Sequence, residues 1–424
     1  MTLDGKTVAF GVTGSIAAVE CVKIIHELRR RGAEVHAVMT ESAQKIVHEW
    51  ALEFASGNPV ITEITGEVEH VDLCGTVESD FESIRGAGSG SEGEEAVTET
   101  EVDRSEDSFR DTDAKADLFL VAPATANTVG KIANGIDDTT VTTFATTALG
   151  SGLPVLIAPA MHEPMYDHPG VIENLDKLDD WGVGVIPPKI EEDKAKLADK
   201  EDIAMECERF LSHGPLEGKR VVVTSGRTEE AVDPVRVLTT RSSGKMGRAI
   251  AEEAYVRGAD VSIVHNYDDE VRYADSVEVE SAHEMIDAAL EEVEEGCDIF
   301  VSAAAISDYT VDTSDSKISS GKDLVLDMEK VPKLIDQVRD EVPDAYIVGF
   351  KAETGLDEDD LVGEAEKVME RASLDLIVAN DASVMGDDET SVRILGVDGV
   401  ETQRGSKTEV AKRILDEVEG SLEG

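Results

Sequence analysis

Along the 424-residue chain, short apolar runs alternate with stretches of helical spacing, and each apolar run ends in a polar or glycine-rich turn. Thr7-Val8-Ala9-Phe10 has the length of a buried strand, Gly11-Val12-Thr13-Gly14-Ser15 reads as a tight turn, and residues 16–31 carry a helical pattern closed by Gly32. Residues 35–39 are the next predicted strand. The same grammar returns with a strand at 220–223, a turn at Ser225-Gly226, a helix over 245–257 stopped by Gly258, and a strand at 261–264. Even the helix exits correspond, Arg31-Gly32-Ala33-Glu34-Val35 beside Arg257-Gly258-Ala259-Asp260-Val261. Duplication and two independent units both remain open, because strand-turn-helix-strand recurs across unrelated α/β folds. Either origin predicts one fold class, α/β, with two doubly wound (Rossmann-like) parallel-sheet domains. Residues 118–121 and 155–157 add strands to the first half, and both feed polar loops at their carboxyl ends, where open α/β sheets bind ligands.

Two stretches interrupt the pattern. Over 76–116, Gly86-Ala87-Gly88-Ser89-Gly90-Ser91 and the acidic sequence after it hold too little apolar area to order themselves, so a disordered surface insertion is expected. Residues 189–218 are charged and end in His213-Gly214-Pro215, which predicts a helix and linker with a domain boundary near 215. Division into two domains also follows from length, since single cores stop growing at roughly 250 to 300 residues.

Charge changes the picture of solvent and partners. Asp and Glu number 91 against 39 Lys and Arg, a formal net charge of -52. Duplex nucleic acid is excluded as a partner, because its binding needs Lys and Arg against phosphate. With 41% hydrophobic residues the chain is packed, so the acid is surface coating. Its self-repulsion calls for counter-ion screening and implies a high-salt cytoplasm, where the Debye length falls to roughly 3 Å at 1 M salt. Cys21, Cys74, Cys207 and Cys297 form no CxxC pair, so neither a disulfide framework nor a zinc knuckle is predicted. Without a signal-like N-terminus or an apolar run of the ~18 residues a membrane helix needs, a soluble, cytoplasmic protein with no membrane partner is expected.

A Gly-x-x-Gly-Ser turn after a strand is shared by phosphate sites and structural turns, since the N–H groups at a helix start hold any anion. Here it keeps company with Met39-Thr40-Glu41-Ser42-Ala43, Ala122-Pro123-Ala124-Thr125-Ala126-Asn127-Thr128 and Ala158-Pro159-Ala160-Met161-His162. Together these segments resemble the flavin-binding cysteine decarboxylases. The resemblance implies FMN, with Gly11, Thr13, Gly14 and Ser15 around its phosphate and Thr40 and Thr125 as hydroxyl donors. It also places Pro123, Asn127 and Met161 on the loops lining the isoalloxazine. His70, in Glu69-His70-Val71-Asp72-Leu73, matches the family's essential histidine, and an imidazole titrating near neutrality can manage the substrate's protons.

The chain departs from that family twice. The Pro-Ala-Met-Asn motif ends in His162, which would donate to the substrate carboxylate in place of the amide. The flap run Cys-Gly-x-x-Gly-Pro-Gly-Arg-Met is replaced by Pro188-Lys189-Ile190-Glu191-Glu192-Asp193-Lys194-Ala195-Lys196-Leu197, which is similar to flaps of archaeal members. No cysteine lies there. Lys189 and Glu191 become the candidate acids, since desolvation against a flavin would move either toward neutrality.

In the second half, Thr224-Ser225-Gly226-Arg227-Thr228-Glu229-Glu230 is followed by Ser242-Ser243-Gly244-Lys245-Met246-Gly247, which at a helix start is a phosphate-suited turn with an adjacent cation and not a Walker A sequence. Ala303-Ala304-Ala305-Ile306-Ser307-Asp308-Tyr309, Lys317-Ile318, Val348-Gly349-Phe350-Lys351-Ala352-Glu353-Thr354 and Leu374-Asp375-Leu376-Ile377-Val378-Ala379-Asn380-Asp381 follow. This series is similar to phosphopantothenate-cysteine ligase. Both halves in this order resemble the bifunctional phosphopantothenoylcysteine decarboxylase/phosphopantothenate-cysteine ligases. The resemblance implies a decarboxylase over 1–190, a linker over 191–216 and a ligase over 217–424. CTP would contact Ala303, Ala304, Asp308, Pro332 and Phe350, with Lys317, Lys367 and Arg371 at its triphosphate, since cations there offset developing phosphate charge. Asp308 as a turn cap, and Lys367 with Arg371 as a solvated pair, remain the alternatives. Thr240 replaces the family's Asn linked to the acyl-nucleotide step.

The implied chemistry is ligation of 4'-phosphopantothenate to cysteine with CTP and Mg²⁺, then oxidation, decarboxylation and reduction to 4'-phosphopantetheine. The resemblance also implies a homo-oligomer. Absence of the flap cysteine keeps two other readings open, a decarboxylase that stops at the enethiol and a flavin-binding scaffold for an active ligase.

Overall fold

In the computed structural model the chain forms two compact units, Met1–Leu211 and Ser212–Gly424. Residues 3–75, 115–191, 194–267, 271–319, 324–355, 357–381, 389–397 and 399–422 are described.

The first unit is a five-stranded parallel sheet in the order β2-β1-β3-β4-β6, made of β1 (Thr7–Val12), β2 (Glu34–Met39), β3 (Leu118–Ala124), β4 (Val155–Pro159) and β6 (Gly184–Val185). Its inner strands are largely apolar because helices cover both faces: Val8, Phe10 and Val12 enter one core, while Ala9 enters the other with Phe119 and Phe144. The expected helix over 16–31 begins instead as a 3₁₀ turn, Ile16–Glu20, and becomes α-helical as α1 (Cys21–Arg30). Ser15 caps that turn by accepting from the Ala17 N–H, which tightens the chain as it leaves the glycine turn.

The charged stretch after residue 188 carries structure its sequence period does not announce. β7 (Lys189–Glu191) and β8 (Lys194–Lys196) pair antiparallel, and β8 also pairs with β5 (Met161–His162). After them the twelve-residue helix Lys200–Leu211 buries Ile203, Ala204 and Cys207 in the first unit's core. The stretch expected as a disordered insertion, 76–116, lies outside the described residues except for Lys115 and Ala116. The Ala116 N–H donates to the Leu73 carbonyl at 2.9 Å.

The second unit is an eight-stranded sheet in the order β13-β12-β9-β14-β17-β18-β19-β20. β9 (Arg220–Ser225), β12 (Asp260–His265), β13 (Asp275–Glu278), β14 (Ile299–Ser302), β17 (Tyr346–Glu353) and β18 (Leu376–Asp381) are parallel, and β19 (Glu389–Gly396) with β20 (Gly399–Ser406) closes the edge antiparallel. Among the described residues no helix is long and apolar enough to cross a membrane.

Candidate functional sites

In each unit the strand order reverses direction at one place, between β1 and β3 in the first and between β9 and β14 in the second. Such a switch point opens a crevice outside the carboxyl ends of the strands, and a 2-1-3-4-5 order places it where the loops after the first and third strands meet.

In the first unit those loops are tied together. The buried Thr13 donates its hydroxyl to the Pro123 carbonyl at 2.6 Å, so this hydroxyl positions the turn and is already committed. A Cβ on Gly14 would sit 2.5 Å from the Ser42 Cβ, which shows how closely the turn after β1 approaches the one after β2. Gly11 is confined likewise by Phe119 and Val141, each 3.1 Å from the position of a Cβ. Thr40 and Thr125 each cap a helix by accepting from a backbone N–H, of Ala43 and of Thr128 at 3.2 Å. Accepting leaves the Thr40 hydroxyl hydrogen for a ligand, whereas the Thr125 hydroxyl also meets the Thr128 hydroxyl at 2.9 Å. Three helical N-termini, at Ile16, Glu41 and Ala126, thus gather at adjacent strand ends, an arrangement suited to an anion. Pro123 is buried on that crest and Asn127 is exposed on the helix it leads into.

His70 stands on the short helix Glu69–Cys74, its ring meeting Phe144 edge-on at 6.3 Å. Its Nδ1 is buried and has no hydrogen-bond partner among the described residues. Val68, just before that helix, holds φ 53° and ψ 47°. A β-branched residue rarely adopts this left-handed conformation, and such strain concentrates at functional sites.

Met161 and His162 lie opposite Ala195 and Lys194, so the candidate flap is zipped onto the loop after β4. Lys189 pairs with Asp199, and Glu191 receives Lys196 at 2.9 Å. Cys207 is fully buried among apolar side chains, and burial pushes its thiol well above the ordinary range.

The second unit's switch point holds a cavity of about 670 Å³. One wall is the turn Ser242-Ser243-Gly244-Lys245 at the N-terminus of the helix Lys245–Val256, fixed by the Ser225 hydroxyl donating to the Gly244 carbonyl at 2.9 Å. The facing loop after β14 hangs from β9 and the turn after it. Ala303 and Ala305 donate to the carbonyls of Thr224 and Gly226 at 3.2 and 3.0 Å, and Ser307 donates to the Thr228 hydroxyl at 2.9 Å. Small side chains there leave the backbone accessible to a ligand. Ala303, Ala304, Asp308, Pro332, Phe350 and Arg371 line the cavity. Arg371 pairs with Asp336 at 2.7 Å, and Asp308 pairs with Lys333. The Thr240 hydroxyl is buried and has no partner among the described residues.

Lys317 and Lys367 do not line the cavity. Lys317 is exposed beside Ile318, whose N–H is held by Asp233 at 3.1 Å, and Lys367 spends its charge on Glu364 at 2.6 Å. Lys245, Lys333, Lys351 and Lys407 do line it. The sequence carried a signal for Lys245 and Lys351, which sit inside the quoted motifs, whereas Lys333 and Lys407 are delivered by topology alone.

Two family descriptions match the chain, Flavoprotein over residues 1–212 and DNA/pantothenate metabolism flavoprotein C-terminal domain over 216–422. The coenzyme A biosynthesis bifunctional protein CoaBC of Thermococcus kodakarensis is 47% identical over 424 residues, spanning 99% of this chain and 96% of its own. Its counterpart in Methanocaldococcus jannaschii is 36% identical over 421 residues, spanning 98% and 94%. Among solved structures, the C-terminal domain of a coenzyme A biosynthesis bifunctional protein CoaBC is 31% identical, with a TM-score of 0.42, and covers 50% of this chain and 98% of that one.

Proposed function

The chain belongs to the family of coenzyme A biosynthesis bifunctional proteins, and from that premise we propose that it ligates 4'-phosphopantothenate to cysteine with CTP and Mg²⁺, then decarboxylates the product to 4'-phosphopantetheine with FMN. The observation carrying this reading is the cation-lined cavity. In a chain of 91 acidic and 39 basic residues, Lys245, Lys333, Lys351, Arg371 and Lys407 gather around one crevice beside a helix N-terminus. Arg371, Lys333 and Lys351 are held by Asp336, Asp308 and Glu353, and a polyanionic ligand would compete with those carboxylates for the cations.

At the ligase site the Ser242–Lys245 turn would hold phosphate oxygens through backbone N–H groups, and Arg371 and Lys333 would offset charge as pyrophosphate leaves. The backbone of Ala303 and Ala304 and the ring of Phe350 would seat the nucleoside. Among the described residues no group of three or more His, Cys, Asp or Glu could hold a metal, so Mg²⁺ would enter largely on the phosphates of CTP.

At the first switch point the residues present fit FMN. The closely packed Gly14 turn, the hydroxyls of Thr40 and Thr125, and the three helical N-termini would take its phosphate and ribityl chain. FMN when bound would supply the two-electron redox chemistry at the cysteinyl carbon and sulfur. His70 would manage a substrate proton through its unpartnered Nδ1, His162 would orient the substrate carboxylate, and Lys189 or Glu191 would deliver the last proton from the flap. The acidic surface suits a salt-rich cytoplasm.

The test is incubation with 4'-phosphopantothenate, cysteine, CTP and Mg²⁺ in molar salt, followed by mass analysis. Formation of 4'-phosphopantetheine is expected. Product stopping at the enethiol would reduce the first unit to an oxidative decarboxylase, and untouched phosphopantothenoylcysteine would make it a scaffold.

A further inference from the structure

We infer that Tyr267 is a positioning residue for the nucleotide turn: its ring backs the crossing of Gly226 and Gly244 and locks the first turn of the following helix against the end of β12. The inference deepens the CTP reading and rests on it.

The crossing is tight. Gly226 has φ +91° and Gly244 φ +74°, and a Cβ on Gly244 would come within 3.0 Å of the Gly226 Cα and 3.2 Å of the Tyr267 Cε1. A Cβ on Gly226 would meet the Tyr267 Cδ1 at 3.7 Å. One edge of the Tyr267 ring therefore serves both glycines, the one that ends the β9 turn and the one that caps the helix aimed at the cavity. Their left-handed conformations are accessible to glycine without penalty, but nothing in a glycine holds them there, because a residue with no side chain makes no packing contacts of its own. Rigidity has to come from a neighbour.

The ring itself is held on two sides. The His265 imidazole stacks on it at 3.9 Å with an interplanar angle of 13°, and the Arg248 guanidinium lies 4.3 Å from its centroid. His265 is fixed in turn, with its Nδ1 accepting from the Tyr267 N–H at 3.3 Å and its Nε2 2.7 Å from the Ser276 hydroxyl. Arg248 belongs to the first turn of the helix Lys245–Val256, and its N–H donates to the Gly244 carbonyl at 3.0 Å. The stack thus joins β12 to the helix start that presents Lys245 to the cavity. Tyr267 does not line that cavity, so it acts through the turn rather than on a ligand.

The experiment compares Tyr267→Leu and Tyr267→Phe in the full chain, reading KM for CTP, KM for cysteine, kcat, bound FMN and the thermal midpoint. Leucine fills the space without a flat face, so the CTP KM is expected to rise about tenfold, the scale of one well-formed aromatic stack. The cysteine KM and kcat should stay within about twofold, and phenylalanine should restore the parental CTP KM. An unchanged CTP KM in the leucine variant overturns the inference. So does a joint rise of both KM values with a lowered thermal midpoint, which marks a packing role alone. If the parental chain releases no pyrophosphate from CTP, the ligase reading fails separately. The positioning role is then read by calorimetry with inorganic pyrophosphate, where weaker binding to the leucine variant supports it and equal binding overturns it.

Discussion

Arg257 donates to Glu419 at 2.8 Å while its Nε holds Glu253, one turn back, at 3.0 Å. The first unit repeats the arrangement, with Arg31 bonded to Glu208 at 2.5 Å and to Glu27 at 3.2 Å. In each unit the first long helix ends in Arg-Gly-Ala, and the unit's last helix returns to close on that arginine. The likeness of the two helix exits in sequence is therefore also a likeness of ionic anchoring.

Removing one partner from such a group strands buried carboxylate. The Arg257 side chain is 10% exposed and that of Glu253 only 7%, so Arg257→Ala should cost about 3–5 kcal/mol of stability in the second unit. Neutralising Glu253 as well, in Arg257→Met with Glu253→Gln, should recover part of that loss. Urea unfolding followed by far-ultraviolet circular dichroism at fixed salt provides the measurement, and a loss below about 1 kcal/mol for the alanine variant would show that water already relieves these carboxylates.

What the sequence made legible was what a short period encodes. β1, β3, β4 and β9 carry continuous apolar runs because both of their faces are covered, and the glycine turns after β1 and β9 declare the crevices. The pairing of 189–191 with 194–196 stayed hidden, since three-residue strands such as Lys-Ile-Glu and Lys-Ala-Lys are too short to show alternation, and Lys-Ala-Lys is held by Met161-His162 on its other side. The cavity cations were half legible. Lys245 and Lys407 stand 162 positions apart and meet only because the sheet order brings their helices to one crevice. Arg371 lines that crevice, whereas Lys367, one turn earlier on the same helix, stops outside it and pairs with Glu364. No local pattern separates those two.

Two closely packed glycines, one in the turn after β1 and one in the first turn of the helix Lys245–Val256, separate the two proposed activities. Gly14→Ala would drive a Cβ to 2.5 Å from the Ser42 Cβ, and Gly247→Ala would drive one to 2.5 Å from the Ser225 Oγ. Overpacking of this kind typically costs about 1–3 kcal/mol and displaces backbone. Gly14→Ala is expected to emerge with reduced FMN content and intact pyrophosphate release. Gly247→Ala is expected to stay yellow and lose at least about tenfold in CTP-dependent ligation, the effect of roughly 1.4 kcal/mol. Flavin absorbance and pyrophosphate assays on both variants check this, and a loss of both activities in either one would defeat the separation.

Salt should act on the whole chain through its charge. At -52, mutual repulsion opposes compaction, and raising salt from 0.1 to 1 M shortens the Debye length from about 10 to about 3 Å. The thermal midpoint should climb steadily over that range in potassium chloride. The same experiment in matched sucrose should give a smaller rise, because sucrose does not screen charge. Equal rises in both would place the effect on solute exclusion instead of electrostatics.

The final proton of the decarboxylase reaction has two kinds of candidate donor. Cys207 is fully buried among apolar side chains with its thiol pushed well above the ordinary range, so it is neither accessible nor poised to give up a proton near neutrality. The flap residues differ, because Lys189 and Glu191 lie on a short strand outside that core, joined through β8 to the Met161-His162 strand that follows β4. Cys207→Ala should therefore keep turnover to 4'-phosphopantetheine within about twofold while losing some stability, as expected for a small core truncation. Lys189→Met or Glu191→Gln should instead accumulate the enethiol with FMN still bound, and whichever does so identifies the donor. Mass analysis of quenched reactions distinguishes thiol from enethiol by two hydrogens. Enethiol accumulating in a folded, flavin-loaded Cys207→Ala, with both flap variants at the parental rate, would move the donor off that short strand and onto the helix behind it.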